Sequence, residues 1–266
     1  MKIVVCIKQV PDTTEVKLDP KTNTLIRDGV PSIINPDDKA GIETALQLKE
    51  KLNDGSTVTI VSMGPPQADV ALREALAMGA DEAYLLSDRA FGGSDTYATS
   101  TIIAAALKKI GYDLVITGRQ AIDGDTAQVG PQIAEHIGIP QVSYAEEIVS
   151  IDNEKVVVKR QFEDRYHILE LPLPCLITAL AELAEPRYMS VRGIYDAYRE
   201  KEVKVLGFED LKELFNPEYI GLKGSPTNVY KSFTKQAKGA GTKYADVSAD
   251  EAVKIIVDKL EERHII

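Results

Sequence analysis

The stretch TGRQAIDGDTAQVGPQIAEHIG, residues 117–138, joins a strand to a helix through a loop whose chemistry could hold an anion. Thr117, Gly118, Arg119, Gln120, Ala121 and Ile122 lead into Asp123, Gly124, Asp125 and Thr126, and Ala127, Gln128 and Val129 carry the chain to Gly130 and Pro131. Pro131 suits the first turn of a helix, where a missing N–H costs nothing, and Gly130 lets the backbone turn tightly before it. N–H groups left free at such a helix start, aided by the helix dipole, bind anions, so a nucleotide phosphate is the first chemistry suggested. An ordinary strand-to-helix turn accounts for the same residues, and both readings stand. Asp123 and Asp125 could form a catalytic carboxylate pair. A loop rich in N–H donors is a poor setting for a general acid, and they read instead as hydrogen-bonding or loop-shaping residues.

Other chemistries find less support. His136, His167 and His264 are scattered, and Cys6 and Cys175 have no neighbour at ligand spacing, which argues against a metal centre. Both cysteines lie in apolar strand-like runs, make no disulfide framework and fit a reducing cytoplasm. No G-x-S-x-G elbow, phosphate loop ending in Gly-Lys-Ser/Thr, or G-x-G-x-x-G fingerprint is present. The turn after the first strand, KQVPDT, lacks the Ser-Gly-Gly start of an adenylating pyrophosphatase. A nucleotide site here has no evident reaction of its own, unless a redox cofactor carries the chemistry and the protein binds and tunes it. A second unusual stretch is LAELAEPRYMSVRGI, residues 180–194. Either Pro186 ends a strand while Tyr188 and Val191 pack locally, or the segment projects as a loop whose apolar tip enters a partner's pocket with flanking charges setting orientation.

The elements that must position these residues alternate over about the first 140 positions. KIVVCIKQV, TVTIVSMG, EAYLLSD and YDLVIT read as buried strands; helices open at Asn35-Pro36-Asp37-Asp38, with Asn35 as cap, and recur around ADVALREALAMGA and DTYATSTIIAAALKKIG. This order predicts a parallel sheet with helices on both faces. Val16–Arg27 suggests an inserted hairpin, and AEEIVSID, EKVVVKRQF and RYHILEL suggest antiparallel strands after Pro140, with PCLITAL as a further buried strand. Residues 1–206 then form one nucleotide-binding domain. Residues 207–266 differ: a weakly periodic but apolar arm to Val247, then a helix opened by a Ser248/Glu251 capping box with Ala252, Ile255, Ile256 and Leu260 on one face. The 31 basic and 41 acidic residues give a net charge of -10, which disfavours nucleic acid and anionic membranes as partners. The N-terminus reads as a strand rather than a signal peptide, and no run reaches the roughly 18 to 20 apolar residues of a membrane span, so no membrane insertion and a soluble, cytoplasmic protein are expected.

Together KIVVCIKQVPDT, NPDDKAGIETAL, VSMGP, GRQAIDGDTAQVGPQIAE, LPCLITAL and AEPRYMSVRGI resemble the small (beta) subunit of electron-transfer flavoprotein over essentially the whole chain. The resemblance implies a three-layer α/β adenine-nucleotide-binding fold with a mostly parallel sheet, an antiparallel extension, and a C-terminal arm plus helix that pack on an obligate large (alpha) subunit. It implies that residues Asp123 to Pro131 wrap the nucleotide phosphates, while Cys6, Lys8, the turn Asn35, Pro36, Asp37, Asp38 and Lys39, and Ser62 with Met63 close around the adenosine end. In AEPRYMSVRGI, Glu185, Pro186, Arg187, Tyr188 and Met189 would belong to a recognition loop, with Val191 as the apolar anchor that enters an acyl-CoA dehydrogenase.

The branch most resembled is the anaerobic, electron-bifurcating type. There FAD in this pocket takes two electrons from NADH; one goes to ferredoxin or flavodoxin and the other, through the alpha-subunit FAD, to an acyl-CoA dehydrogenase. Alternatives are a conventional single-flavin carrier that holds AMP here as a structural nucleotide, and a nucleotide-binding regulatory module of the universal-stress type.

Overall fold

Runs of β-branched residues build the centre of the molecule, because strands covered on both faces favour Val and Ile throughout. The computed structural model describes residues 1–12, 31–227 and 239–266; the hairpin expected over Val16–Arg27 lies outside them, as do Tyr230 and Phe233 of the arm. In chain order the elements are β1 (Lys2–Ile7), β2 (Gln9–Pro11), β3 (Ser32–Ile34), α1 (Pro36–Leu52), β4 (Thr57–Met63), α2 (Asp69–Met78), β5 (Glu82–Leu86), α3 (Thr96–Ile110), β6 (Leu114–Gly118) and α4 (Val129–Ile137). There follow β7 (Gln141–Ile151), β8 (Lys155–Gln161), β9 (Tyr166–Pro172), β10 (Cys175–Ala179), α5 (Val191–Arg199), β11 (Val203–Leu206), α6 (Phe208–Leu211), α7 (Gly221–Gly224) and α8 (Ala249–Glu261).

Nine strands form one sheet in the order β11-β5-β4-β1-β6-β10-β7-β8-β9. It is parallel from β11 to β7 and antiparallel across β7, β8 and β9, as the alternating runs after Pro140 predict. Asp152 closes the first turn of that extension, its carboxylate accepting from the Glu154 and Lys155 N–H groups at 2.8 and 2.9 Å. Ile42, Leu46, Leu72 and Leu76 of α1 and α2 pack one face of the sheet, and Ile102, Ile103, Ile133 and Ala134 of α3 and α4 pack the other. The chain winds outward from β1 to β4 and β5, then returns to β6 on the far side of β1. The switch point of this doubly wound sheet therefore lies between β1 and β6, where such folds open a crevice at the carboxyl ends of their strands.

The sequence reading placed the arm from residue 207, but the described chain divides into Met1–Tyr230 and Lys231–Ile266. Leu211 and Ile220 are buried, Phe215 meets Phe91 edge-on at 6.4 Å, and Tyr219 meets Tyr97 at 6.1 Å. Leu211 and Ile220, with Phe208 and Phe215 packed against them, thus belong to the first unit's own core. Strand β11, hidden in the short EVKVL run, adds in parallel to β5 at the sheet edge. In the second unit, α8 opens with the expected capping box, Ser248 Oγ accepting from the Glu251 N–H at 3.3 Å and Glu251 Oε2 from the Ser248 N–H at 2.9 Å.

Candidate functional site

The ladder between β1 and β6 stops at Cys6 and Thr117, whereas β1 continues beside β4 to Ile7 and Ser62. Into the gap comes Asp38 from the first turn of α1. Its Oδ2 accepts from the Lys8 N–H at 2.7 Å and its Oδ1 from the Gly118 N–H at 2.8 Å, so a carboxylate occupies the place of the next rung. A Cβ on Gly118 would collide with that oxygen, which is why a residue without one stands there.

The rest of the NPDD turn holds the loop beyond. Asn35 stands at the N-cap of α1 as expected, but its fully buried side chain makes no capping bond; its Nδ2 donates to the Gln120 carbonyl at 2.8 Å and its Oδ1 accepts from the Ile122 N–H at 3.1 Å. Asp37 lies 3.5 Å from Arg119, and Lys8 Nζ clasps both oxygens of Asp123 at 2.6 and 2.9 Å. Residues 118–123 are thus pinned at almost every position by α1 and the end of β1. Asp125 (φ 50°) and Ala127 (φ 52°) then take the left-handed conformation, which costs non-glycine residues energy, and the Gly124 and Asp125 N–H groups both donate to the Ala121 carbonyl, at 3.1 and 2.9 Å. Gly130 follows in the first turn of α4; a Cβ there would lie 2.5 Å from Thr117 Oγ1 and 2.9 Å from Thr178 Cγ2.

Above the switch point is a cavity of about 420 Å³. Of the residues expected at a nucleotide, Cys6, Lys8, Asp38 and Met63 line it, as do Thr117–Ala121, Gly124 and Thr126–Gly130. Asn35, Pro36, Asp37, Lys39, Ser62, Ile122, Asp123, Asp125 and Pro131 do not. Strand alternation puts Ser62 on the face of Val58 and Ile60, towards α1 and α2, and Lys39 points to Glu74 of α2 at 2.7 Å. The sequence reading missed the opposite wall, Ser94, Asp95, Thr96 and Thr99 at the start of α3, where Asp95 caps the helix by accepting from the Ala98 N–H at 3.0 Å. The Ser94-Asp95-Thr96 run is a helix-opening signal that could have disclosed it. Thr96 Oγ1 donates to Gln128 Oε1 at 2.9 Å and joins the two walls, so the starts of α3 and α4 face one space.

Burial pushes the Asp38 carboxyl up to about 7, against the Lys8, Asn35 and Gly118 hydrogen bonds that pull it down. Burial, with the Asp38 charge second, pushes the Cys6 thiol up to about 12. At neutral pH Cys6 is a neutral wall residue and no nucleophile.

The second expected site is not a simple loop. Residues from Val191 onward form α5, with Ser190 as its cap, accepting from the Gly193 N–H at 2.9 Å. Tyr188 is 99% exposed and Val191 87%, while Met189 is also exposed. Arg187 departs from the expected rim charge: Nε and Nη2 donate to Glu43 at 2.7 and 2.9 Å and Nη1 to Glu50 at 2.5 Å. Its guanidinium ties the segment to α1. Glu185 is exposed and Pro186 half-buried.

Fold and site together define a doubly wound α/β protein with a ligand crevice at its switch point. The electron transfer flavoprotein domain family matches residues 22–211. Over the full length of both chains, this chain is 58% identical to an electron transfer flavoprotein subunit beta of Clostridium acetobutylicum and 55% identical to the caffeyl-CoA reductase-Etf complex subunit CarD of Acetobacterium woodii. It is 50% identical, again over both full lengths, to the acryloyl-CoA reductase electron transfer subunit gamma of Anaerotignum propionicum. The chain therefore belongs to the electron transfer flavoprotein family, as one of its beta subunits, and the universal-stress alternative is set aside. No described helix is long and apolar enough to cross a membrane.

Proposed function

We propose that this chain is the small subunit of an electron-bifurcating electron transfer flavoprotein and that its switch-point cavity holds FAD. The observation that carries this reading is the run of the cavity wall from Met63 across Cys6 and Lys8 to the 118–130 loop, with two helix starts facing it. Those residues fit a dinucleotide. Cys6 and Met63 offer apolar surface to an adenine; N–H groups of the loop and of α4 meet phosphates; Lys8 and Arg119 supply positive charge. Among the described residues, the one buried carboxylate in the wall, Asp38, is occupied by backbone donors rather than aimed at a ligand.

A bound flavin would accept a hydride from NADH and pass electrons on singly. The chain's own part is to bind, orient and shield. Asp38 and Asn35 hold the phosphate loop in place, the α3 wall screens the cavity from water, and Arg187 fixes the segment that presents Val191. Val191 and Tyr188 then meet an acyl-CoA dehydrogenase, the second unit, Lys231–Ile266, meets the large subunit, and ferredoxin or flavodoxin takes the other electron. Two relatives named as parts of acyl-CoA-type reductase systems support this branch over a carrier with AMP here. The test is NADH-driven reduction of ferredoxin by the purified heterodimer with its dehydrogenase. The proposal expects reduction only when an enoyl-CoA acceptor is present; no ferredoxin reduction under any acceptor condition would refute it.

A further inference from the structure

The turn that brings Ser94, Asp95 and Thr96 to the cavity is bonded along its outer side to a stretch 127 to 132 positions later in the chain. The Leu222 N–H donates to the Gly92 carbonyl at 3.1 Å, and the Gly221 N–H to Ser94 Oγ at 3.1 Å. Ser225 is buried; its Oγ accepts from the Asp95 N–H at 2.8 Å and donates to the Gly221 carbonyl at 2.7 Å. The Asp95 carboxylate completes the set. Its Oδ1 caps α3 through the Ala98 N–H, and its Oδ2 accepts from the Thr227 N–H at 2.9 Å. With both oxygens committed to backbone donors, Asp95 acts on the start of α3 rather than on a ligand. None of the residues 221–227 lines the cavity.

The first turn of a helix frays unless the chain beside it is held. On its inner side the start of α3 is held by the bond from Thr96 Oγ1 to Gln128 Oε1, which reaches the loop before α4. On its outer side it is held by the bonds from Gly221, Leu222, Ser225 and Thr227, and Tyr219, edge-on to Tyr97 at 6.1 Å, carries the hold into the first turn of α3. The opening between the α3 and α4 walls is therefore set by a segment that reaches no ligand. We propose that Asp95 is a positioning residue for the nucleotide, and that residues 221–227 act through it as a brace that keeps the α3 wall at binding distance. A brace that favours the occupied cavity is itself favoured by occupancy, so nucleotide and brace stabilise one another. This rests on the reading of the cavity as a nucleotide site. It does not depend on which nucleotide fills it.

The test uses the heterodimer depleted of the small-subunit nucleotide, with AMP as the probe because FAD contains the same adenosine monophosphate half. In wild type, saturating AMP is expected to slow amide hydrogen exchange over residues 221–227 more than over β8 and β9. Ser225→Ala and Thr227→Pro each remove one bond of the brace and should weaken AMP binding about twofold to tenfold, the net worth of one hydrogen bond, whereas Thr227→Ser should bind as wild type does. Exchange over 221–227 that responds to AMP no more than β8 and β9 do, or wild-type AMP affinity in both variants, overturns the brace and leaves the nucleotide site standing. A wild type that binds neither AMP nor ADP overturns the nucleotide reading and the brace with it. The exchange measurement needs no variant and decides the matter should either substitution fail to fold.

Discussion

The Asp38 carboxylate spans the switch point, one oxygen 2.7 Å from the Lys8 nitrogen and the other 2.8 Å from the Gly118 nitrogen. Two strands that must part to open a crevice are thereby kept in fixed relation without closing it. Asp38→Asn keeps one acceptor but sets an NH2 against the other backbone donor; leaving a buried donor unpaired costs about 1 to 3 kcal/mol. The expected outcome is a lowered melting temperature and less nucleotide retained through purification.

The same residue sets a pH dependence. Its carboxyl rises from 3.8 to about 7 on folding, chiefly through burial. The native state holds this proton more tightly than the unfolded chain, so the contribution to stability is complete below the unfolded value and lost as pH rises through about 7. Denaturant midpoints of wild type and Asp38→Asn, compared across that window, should converge as pH rises, because only wild type loses the contribution.

Gly130→Ala would press a methyl group between Thr117 and Thr178, both of which belong to neighbouring buried strands. Overpacking of this kind costs about 1 to 3 kcal/mol, relieved here by moving the start of α4 away from the loop. Nucleotide content should fall more than the melting temperature suggests, which chromatography of the released nucleotides measures.

Much of this was legible from the order of residues. Strand runs such as KIVVCI and LVITG, and the helix signals at NPDD and at GPQIAEHIG, locate the sheet and its switch point because periodicity and turn chemistry act locally. The partners across space were not legible. Asn35 looks like a helix cap in sequence, yet its amide is spent on residues 85 and 87 positions away, at Gln120 and Ile122. Arg187 looks like a surface charge, yet it bonds to Glu43 and Glu50 of a helix formed far earlier. The α3 wall was missed because Ser94-Asp95-Thr96 is an ordinary helix opening until the crossover brings it above β1.

Arg187 and Glu43 offer a separation of docking from binding. Burial alone would raise the Glu43 carboxyl, but the Arg187 hydrogen bonds outweigh it and hold the group below its ordinary value. Breaking a buried pair costs about 3 to 5 kcal/mol, and the partial exposure of Arg187 reduces that to roughly 1 to 2 here. Glu43→Gln should leave nucleotide content intact and slow electron delivery to the dehydrogenase, measured by stopped-flow.

Val191→Asp tests the exposed tip itself. A charge carried into an apolar pocket should cost about 2 kcal/mol or more, roughly thirtyfold in affinity for the dehydrogenase. NADH oxidation with an artificial acceptor should stay near the wild-type rate, so that equal delivery rates in both proteins would remove the segment from the mechanism.

A flavin dinucleotide in this cavity would be released on denaturation. The most direct measurement is to denature the heterodimer purified from co-expression with its large subunit and quantify the released nucleotides by chromatography. Two FAD per heterodimer without AMP is the predicted result. One FAD with one AMP would contradict it and make this chain the structural half of a single-flavin carrier.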